Sequence, residues 1–365
     1  MIKVLHTEWS DGWGGQEIRI INEMIALRNK GVEVYLACKE ESKIKEKAFE
    51  NNIEVFILPF RGNIDFKTMF SLIKIIKENK INIVNTHSGK DTWVGGIAAK
   101  ISGIKFIRTR HLSNKIRNSR FNFINELADF IFTTGESIRG DMIKYNRINP
   151  KKILSIPTGI DHEKFNILNY NINAEREFYG INQGDIAIGI IAVLREFKRH
   201  EIFLEAAKEI IKKNSSIKFF IAGDGPRRFI IENLIKNYSL ENNVILLGHI
   251  NNPERLLAAL DIFVLTSDSK EGVPQSVNQA LMMNTCVIAT DVGSTKDLYD
   301  ESNFFLIKSN DTNEIISIIN GMIKNKELLE KYKLNSRNYV VENFSKNCMT
   351  DSIYKVYQQL LGTMN

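Results

Sequence analysis

Cysteine is scarce in this chain. Only three occur in 365 residues, and Cys38, Cys286 and Cys348 lie far apart in apolar surroundings. An odd, scattered set suits neither a disulfide framework nor a zinc knuckle, so the three are expected to be packing residues. Long apolar runs are also missing. The longest, residues 186–194, is too short to cross a bilayer. Residues 1–6 enter a strand pattern with no apolar leader or small-residue cleavage site, which leads us to expect a cytosolic chain. No RNP, zinc-finger or helix-turn-helix signature is present. The formal charge of +6 is a mild excess rather than the dense basic stripe of a nucleic-acid binder. Such an excess suits an anionic ligand or an anionic membrane face.

What is present is an ordinary globular composition, 43% hydrophobic and 25% charged, which excludes disorder, collagen and coiled coil. A single core stops growing well before this length, so two domains are expected. Short apolar runs at 2–7, 33–37, 55–58, 83–86, 105–108 and 130–133 read as strands. Helical spacing lies between them, as at 16–29, where Ile18, Ile21 and Ile25 recur at intervals of three and four. This alternation requires a parallel sheet covered on both faces. The pattern pauses at 153–157, before Thr158-Gly-Ile-Asp161 and an Asn-rich stretch. A second series follows at 186–194, 217–222, 244–246, 262–265, 286–289 and 304–306, and residues 327–361 read as helix. The expected class is α/β, with two doubly wound domains joined near residue 160.

Ligands of open parallel sheets sit beyond the carboxyl ends of the strands, and the informative residues follow strands directly. Gly12-Trp-Gly14-Gly15-Gln16 follows the first. It is either a tight strand–helix turn or a place of close backbone approach to a ligand. A dinucleotide fingerprint would need a third glycine where Glu17 stands. His87 and His111 end the fourth and fifth strands; each is either a satisfied structural residue or a hydrogen-bonding group for phosphate or sugar. Arg195 and Lys198, after the first strand of the second series, form either a diphosphate grip or part of a solvated loop. Gly223-Asp-Gly225-Pro226 reads as a close-approach loop opening a helix with Pro in its first turn. The most specific segment is Glu271-Gly272-Val273-Pro274-Gln275-Ser276, with Gln279 one to two turns into the helix that follows. Glu271 and Gln279 can hold two ends of an extended ligand while the amides near Gln275 and Ser276 meet its phosphates. The plainer alternative is a helix-dipole partner and a surface residue.

Together these motifs resemble the family 4 retaining glycosyltransferases of the GT-B fold over nearly the whole chain. The resemblance implies two Rossmann-like domains facing a deep cleft: 1–160 for the acceptor, 161–343 for the nucleotide-sugar, and a helix at 344–365 returning to the first. It implies that Arg195 and Lys198 bind the donor diphosphate, that Glu271 contacts the sugar, and that the 272–276 loop contacts sugar and phosphate. Gly223 and Gly225 would belong to the same donor-binding domain. His111 would lie beside the donor sugar, His87 on the acceptor side, and Gly14 and Gly15 against phosphate or acceptor. The family pattern places a second Glu where this chain has Gln279, which would meet the ribose without charge assistance.

Asp-x-Asp, the motif with which many glycosyltransferases hold a metal, is absent from the sequence. No cofactor is therefore expected, and the two cations would carry the charge of the leaving group. The implied donor is a UDP- or GDP-sugar. The implied acceptor is a glycan or lipid-linked glycan of lipopolysaccharide, O-antigen or capsule synthesis, reached at the cytoplasmic face of the inner membrane. Lys115, Arg117 and Arg120, interleaved with Phe121 and Phe123, are either acceptor-side, membrane-facing residues or an ordinary amphipathic helix. Other readings are a GT-B epimerase or phosphorylase, or a non-catalytic nucleotide-sugar-binding protein. Nucleic acid is not an expected partner.

Overall fold

A computed structural model describes residues 1–111, 116, 123–269, 271–308 and 311–363. The chain divides into two compact units: unit 1 is Met1–Gly159 with Lys346–Asn365, and unit 2 is Ile160–Ser345.

Unit 1 alternates strand and helix: β1 (Lys3–Glu8), α1 (Gly15–Arg28), β2 (Glu33–Cys38), α2 (Lys43–Glu50), β3 (Glu54–Ile57), α3 (Phe66–Asn79), β4 (Ile83–Thr86), α4 (Gly89–Ile101), β5 (Lys105–Arg110), β6 (Phe130–Thr133), α5 (Glu136–Asn146) and β7 (Ile153–Ser155). All strand pairs are parallel, in the order β3-β2-β1-β4-β5-β6-β7. Inner strands such as β4 and β6 are buried along their whole length, which explains why they begin as apolar runs without in–out alternation. β7 is an edge strand lying where the sequence pattern pauses. With only three residues and one of them exposed, it carries no alternation to read.

Unit 2 repeats the plan with α6 (Ile172–Phe178), β8 (Ala187–Ile191), α7 (His200–Ile211), β9 (Lys218–Ala222), α8 (Arg228–Asn237), β10 (Val244–Gly248), α9 (Pro253–Ala259), β11 (Ile262–Leu265), α10 (Gln275–Met282), β12 (Cys286–Thr290), β13 (Phe305–Ile307), α11 (Thr312–Lys324) and α12 (Lys326–Phe344). Its sheet order is β10-β9-β8-β11-β12-β13. The helical tail breaks at Ser345, where the backbone turns extended. The final helix, α13 (Lys346–Leu361), belongs to unit 1, where Met349, Ile353, Val356 and Tyr357 join the core formed with Ile20, Met24 and Leu27. Each fully buried aliphatic side chain of this kind contributes roughly 1.5–3 kcal/mol.

The strand order reverses once in each sheet, between β1 and β4 and between β8 and β11. There the neighbouring loops diverge to opposite faces and leave a crevice at the carboxyl ends. Cys38 and Cys286 are buried, and Cys348 is half-buried.

Candidate active site

In unit 2 the reversal point gathers the loop after β8 and the loop after β11. Arg195 and Lys198 lie on the first, Thr266 to Glu271 on the second. Protein contacts fix the two loops to each other. The Thr266 hydroxyl donates to the carbonyls of Lys198 and Arg199 at 2.9 and 3.0 Å, and the Asp268 amide donates to the Phe197 carbonyl at 2.9 Å. Arg199 adds an ion pair to Asp268 at 3.0 Å. Lys198 Nζ pairs with Glu271 Oε1, and the Ser267 hydroxyl donates to the same oxygen at 2.5 Å. No described residue bonds Oε2. The Arg195 side chain is exposed and makes no ion pair among the described residues. One exposed cation, one anchored cation and a carboxylate with a free oxygen thus lie on the loops of one crevice.

α10 begins just beyond. Pro274 is its N-cap without a side-chain cap, and the first amide to bond within the helix is that of Asn278, to Pro274. The Gln275, Ser276 and Val277 amides are left for an anion. Gln279 is half-buried, one turn into the helix. Gly272 is half-buried and Val273 is packed into the core beneath the loop.

The structure revises the reading of two glycines. A Cβ on Gly223 would lie 1.9 Å from the Ala192 carbonyl oxygen, and one on Gly225 would lie 2.8 Å from that of Leu194. Both have positive φ, 146° and 157°. Glycine is required at both because the loop after β9 presses on the backbone leading to Arg195. Nor does Pro226 open a helix: α8 starts at Arg228, and Pro226 lies in the preceding turn.

Sequence reasoning missed Gly293. It follows β12 with φ 59°, and its Cβ would sit 1.9 Å from the Glu271 carbonyl oxygen. The Thr290 hydroxyl holds the Ser267 carbonyl at 2.6 Å. The Glu271 loop is therefore shaped from beneath by the end of β12. The available signal was a glycine directly after a buried strand.

In unit 1 the reversal point holds a chain of imidazoles. His6 Nδ1 meets His87 Nε2 at 2.9 Å, and His87 Nδ1 meets His111 Nε2 at 3.0 Å. Burial pushes His6 down to about 3. His87 is held well below its usual 6.5 by burial and the adjacent imidazoles, and His111 by burial and then Arg19, Arg110 and Arg108. All three rings are neutral. Beside them lies a second polar group. Glu8, buried, accepts from the Ser10 amide at 2.8 Å, the Gln16 amide group at 2.5 Å and the Ser88 hydroxyl. Burial raises its pKa against those hydrogen bonds. Asp91 accepts from the His87 and Ser88 amides at 2.9 Å and from the Thr7 hydroxyl at 2.8 Å, and burial holds it well above the usual carboxylate range. His6, Glu8 and Asp91 were not singled out from the sequence. The signal was the polar His6-Thr7-Glu8 ending of an otherwise apolar strand.

A cavity of about 510 Å³ opens here. Its walls include the indoles of Trp9 and Trp93, His87 and His111, and the cations Lys90, Arg108 and Arg110. Lys90 Nζ lies 4.0 Å from the Trp9 ring centroid. At the start of α1 the Gly14 amide is already taken by the Glu17 carboxylate at 2.8 Å. Of the two glycines, Gly15 alone keeps an amide open to a ligand. Lys115, Arg117 and Arg120 lie outside the described residues, and Phe123 packs edge-on against Trp93. Among the described residues no cluster of metal-ligating side chains occurs.

Residues 13–164 match the family described as Glycosyltransferase Family 4, and residues 171–339 match Glycosyl transferases group 1. The chain belongs to the glycosyltransferases that join these two domains. It is similar to the Escherichia coli UDP-Gal:alpha-D-GlcNAc-diphosphoundecaprenol alpha-1,3-galactosyltransferase, at 28% identity over 98% of this chain and 96% of that one. Its fold is GT-B. A glycosyltransferase of Rickettsia africae superposes with a TM-score of 0.90 at 20% identity, covering 100% of this chain and 99% of the other. HepE of Anabaena, in complex with UDP-glucose, superposes with a TM-score of 0.83 at 18% identity, over 98% and 100%.

Proposed function

We propose that the enzyme moves a hexose from a UDP-hexose, held by unit 2, to a hydroxyl of a lipid-diphosphate-linked glycan, held by unit 1. The configuration is retained, no metal takes part, and the step belongs to cell-surface polysaccharide assembly. The observation that carries the reading is the convergence of Arg195, Lys198 and Glu271 with the uncapped start of α10 at the reversal point of unit 2. The names of the E. coli galactosyltransferase and of the UDP-glucose complex support the donor, and the former supports the acceptor.

In this reading the bond from the anomeric carbon to the β-phosphate oxygen breaks, leaving negative charge on UDP and an oxocarbenium-like sugar. Arg195 and Lys198 meet that charge together with the amides of α10. Glu271 Oε2 accepts from a sugar hydroxyl, and Gln279 accepts from the ribose. The acceptor oxygen attacks from the face UDP leaves, and its proton passes to the departing phosphate oxygen. His111 hydrogen-bonds the sugar as a neutral imidazole. In unit 1, flat indoles beside hydrogen-bonding groups suit a sugar ring, and the nearby cations suit its diphosphate. Metal independence rests on the absence of Asp-x-Asp from the sequence and on two cations already in place.

The test is UDP release from a panel of UDP-hexoses with a short-chain polyprenyl-diphosphate sugar, with and without EDTA, and anomeric assignment of the product by NMR. Release undiminished by EDTA and a retained anomer are expected. Strict dependence on added divalent metal would remove the cationic mechanism.

A further inference from the structure

We infer that the exposed face of α3 and the loop before it form a docking surface for an anionic lipid bilayer. The proposal rests on the function above only in its choice of a lipid-borne acceptor. Ile64 is 82% exposed, and Phe66 and Phe70 are each 63% exposed. Spaced four apart on one helix, the two rings share a face, and Ile64 lies two residues before Phe66 in the loop ahead of the helix. A soluble helix normally buries such residues. Here α3 already buries Thr68, Leu72, Ile75 and Ile76 on its opposite face, so the aromatic stripe is additional to the packing stripe.

The loop is built rather than loose. The buried Asp65 carboxylate accepts from the Arg61 amide at 2.9 Å, the Thr68 amide at 3.1 Å and the Thr68 hydroxyl at 2.7 Å, while Thr68 Oγ1 accepts from the Phe60 amide at 3.1 Å. Ile64 is held outward by this clamp.

Charge identifies the occupant. Arg61, Lys67, Lys74, Lys77 and Lys80 are exposed around the stripe. Among the described residues only Lys74 has an ion pair, to Glu78 at 3.8 Å. A comparable apolar pair in unit 2, Phe229 and Ile230, is flanked by Arg228, paired to Glu232 at 2.8 Å and Asp224 at 3.5 Å, and by Arg227, 3.8 Å from Glu201. Its field is largely cancelled. Aromatic and aliphatic tips ringed by cations, of which Lys67, Lys77 and Lys80 have no ion pair among the described residues, fit an interface of acyl chains beneath anionic headgroups. Asn63, in the same loop, lines the unit 1 cavity, so docking here brings that cavity to the lipid surface.

The experiment is sedimentation of the full chain with vesicles of phosphatidylglycerol and phosphatidylethanolamine, and with vesicles of phosphatidylcholine alone. Binding to the first and not the second is expected. Phe66→Ser with Phe70→Ser should weaken it by at least roughly tenfold, and Lys67→Gln by about fivefold. Melting temperature and the thermal shift with UDP-glucose should stay as in the wild type, which separates lost docking from lost folding. Three results would overturn the proposal: no binding by the wild type, undiminished binding by the double variant, or a dimer that the double variant dissolves without any vesicle binding. Loss of UDP-glucose binding with vesicle binding intact would overturn the donor site instead.

Discussion

The two reversal points are built on the same sheet geometry, yet they hold polarity in different states. At the β8/β11 crevice of unit 2, charge is displayed: Arg195 is exposed, and Lys198 and Glu271 form an ion pair that a diphosphate can compete for. At the β1/β4 crevice of unit 1, cations line the cavity wall, but the imidazoles and carboxylates beneath it are spent on hydrogen bonds within the protein. His6, His87 and His111 are neutral, and Glu8 and Asp91 are each held by three hydrogen bonds. A site that must stabilise departing charge needs ionised groups at the surface of the crevice. A site that must orient a hydroxyl gains from a rigid neutral lattice.

That contrast can be broken experimentally. Lys198→Ala should lower turnover by about 100- to 1,000-fold while leaving the melting temperature near the wild type's, because the proposed donor site relies on ionised groups; steady-state kinetics and calorimetry read the two effects separately. Gly293→Ala forces a Cβ against the Glu271 carbonyl and should cost on the order of 100-fold in turnover through displacement of the carboxylate, with unit 1 unaffected by hydrogen exchange.

The neutral lattice of unit 1 makes a pH prediction. His6 stays unprotonated in the folded chain down to about 3, whereas the unfolded chain protonates it below 6.5. Its contribution to stability is therefore complete above that value and is lost as pH falls. Comparing the wild type with His6→Phe removes the opposing effect of the raised carboxylates Glu8 and Asp91, since both proteins contain them. The difference in unfolding free energy between the two should move by about 2 kcal/mol in favour of the variant from pH 6.5 to pH 5. A gap that does not change with pH would mean that His6 takes up its proton alike in the folded and unfolded chains. The smallest expected effect sharpens the donor side. Gln279→Glu should tighten UDP by about threefold to tenfold by adding charge to the proposed ribose hydrogen bond, read by titration calorimetry.

Much of the fold was legible because buried parallel strands write themselves as apolar runs. The runs at 83–86, 130–133 and 262–265 coincide with β4, β6 and β11. β7 was not legible, since a short edge strand has no periodicity, and the break at Ser345 lies within a continuous helical pattern. In the site, Arg195, Lys198 and Glu271 were singled out from their places after strands, and Gln279 from its spacing beyond Glu271; the structure brings Lys198 and Glu271 together. Gly223 and Gly225 were read for ligand approach, and the structure adds a constraint from the protein itself. Their conformations answer to protein backbone, which no spacing reveals. His6 was passed over because a single histidine inside a strand looks like any packed residue until His87 and His111 stand beside it.

The order of residues alone determined the α/β class and which polar loops follow the strands, because hydrophobic period and turn residues are local properties of the chain. Only the tertiary structure decided which of those polar residues are ionised, which are hydrogen-bonded to one another and which glycines are indispensable. Those outcomes depend on desolvation and on contacts between segments far apart in the chain, which arise only after the sheets have formed.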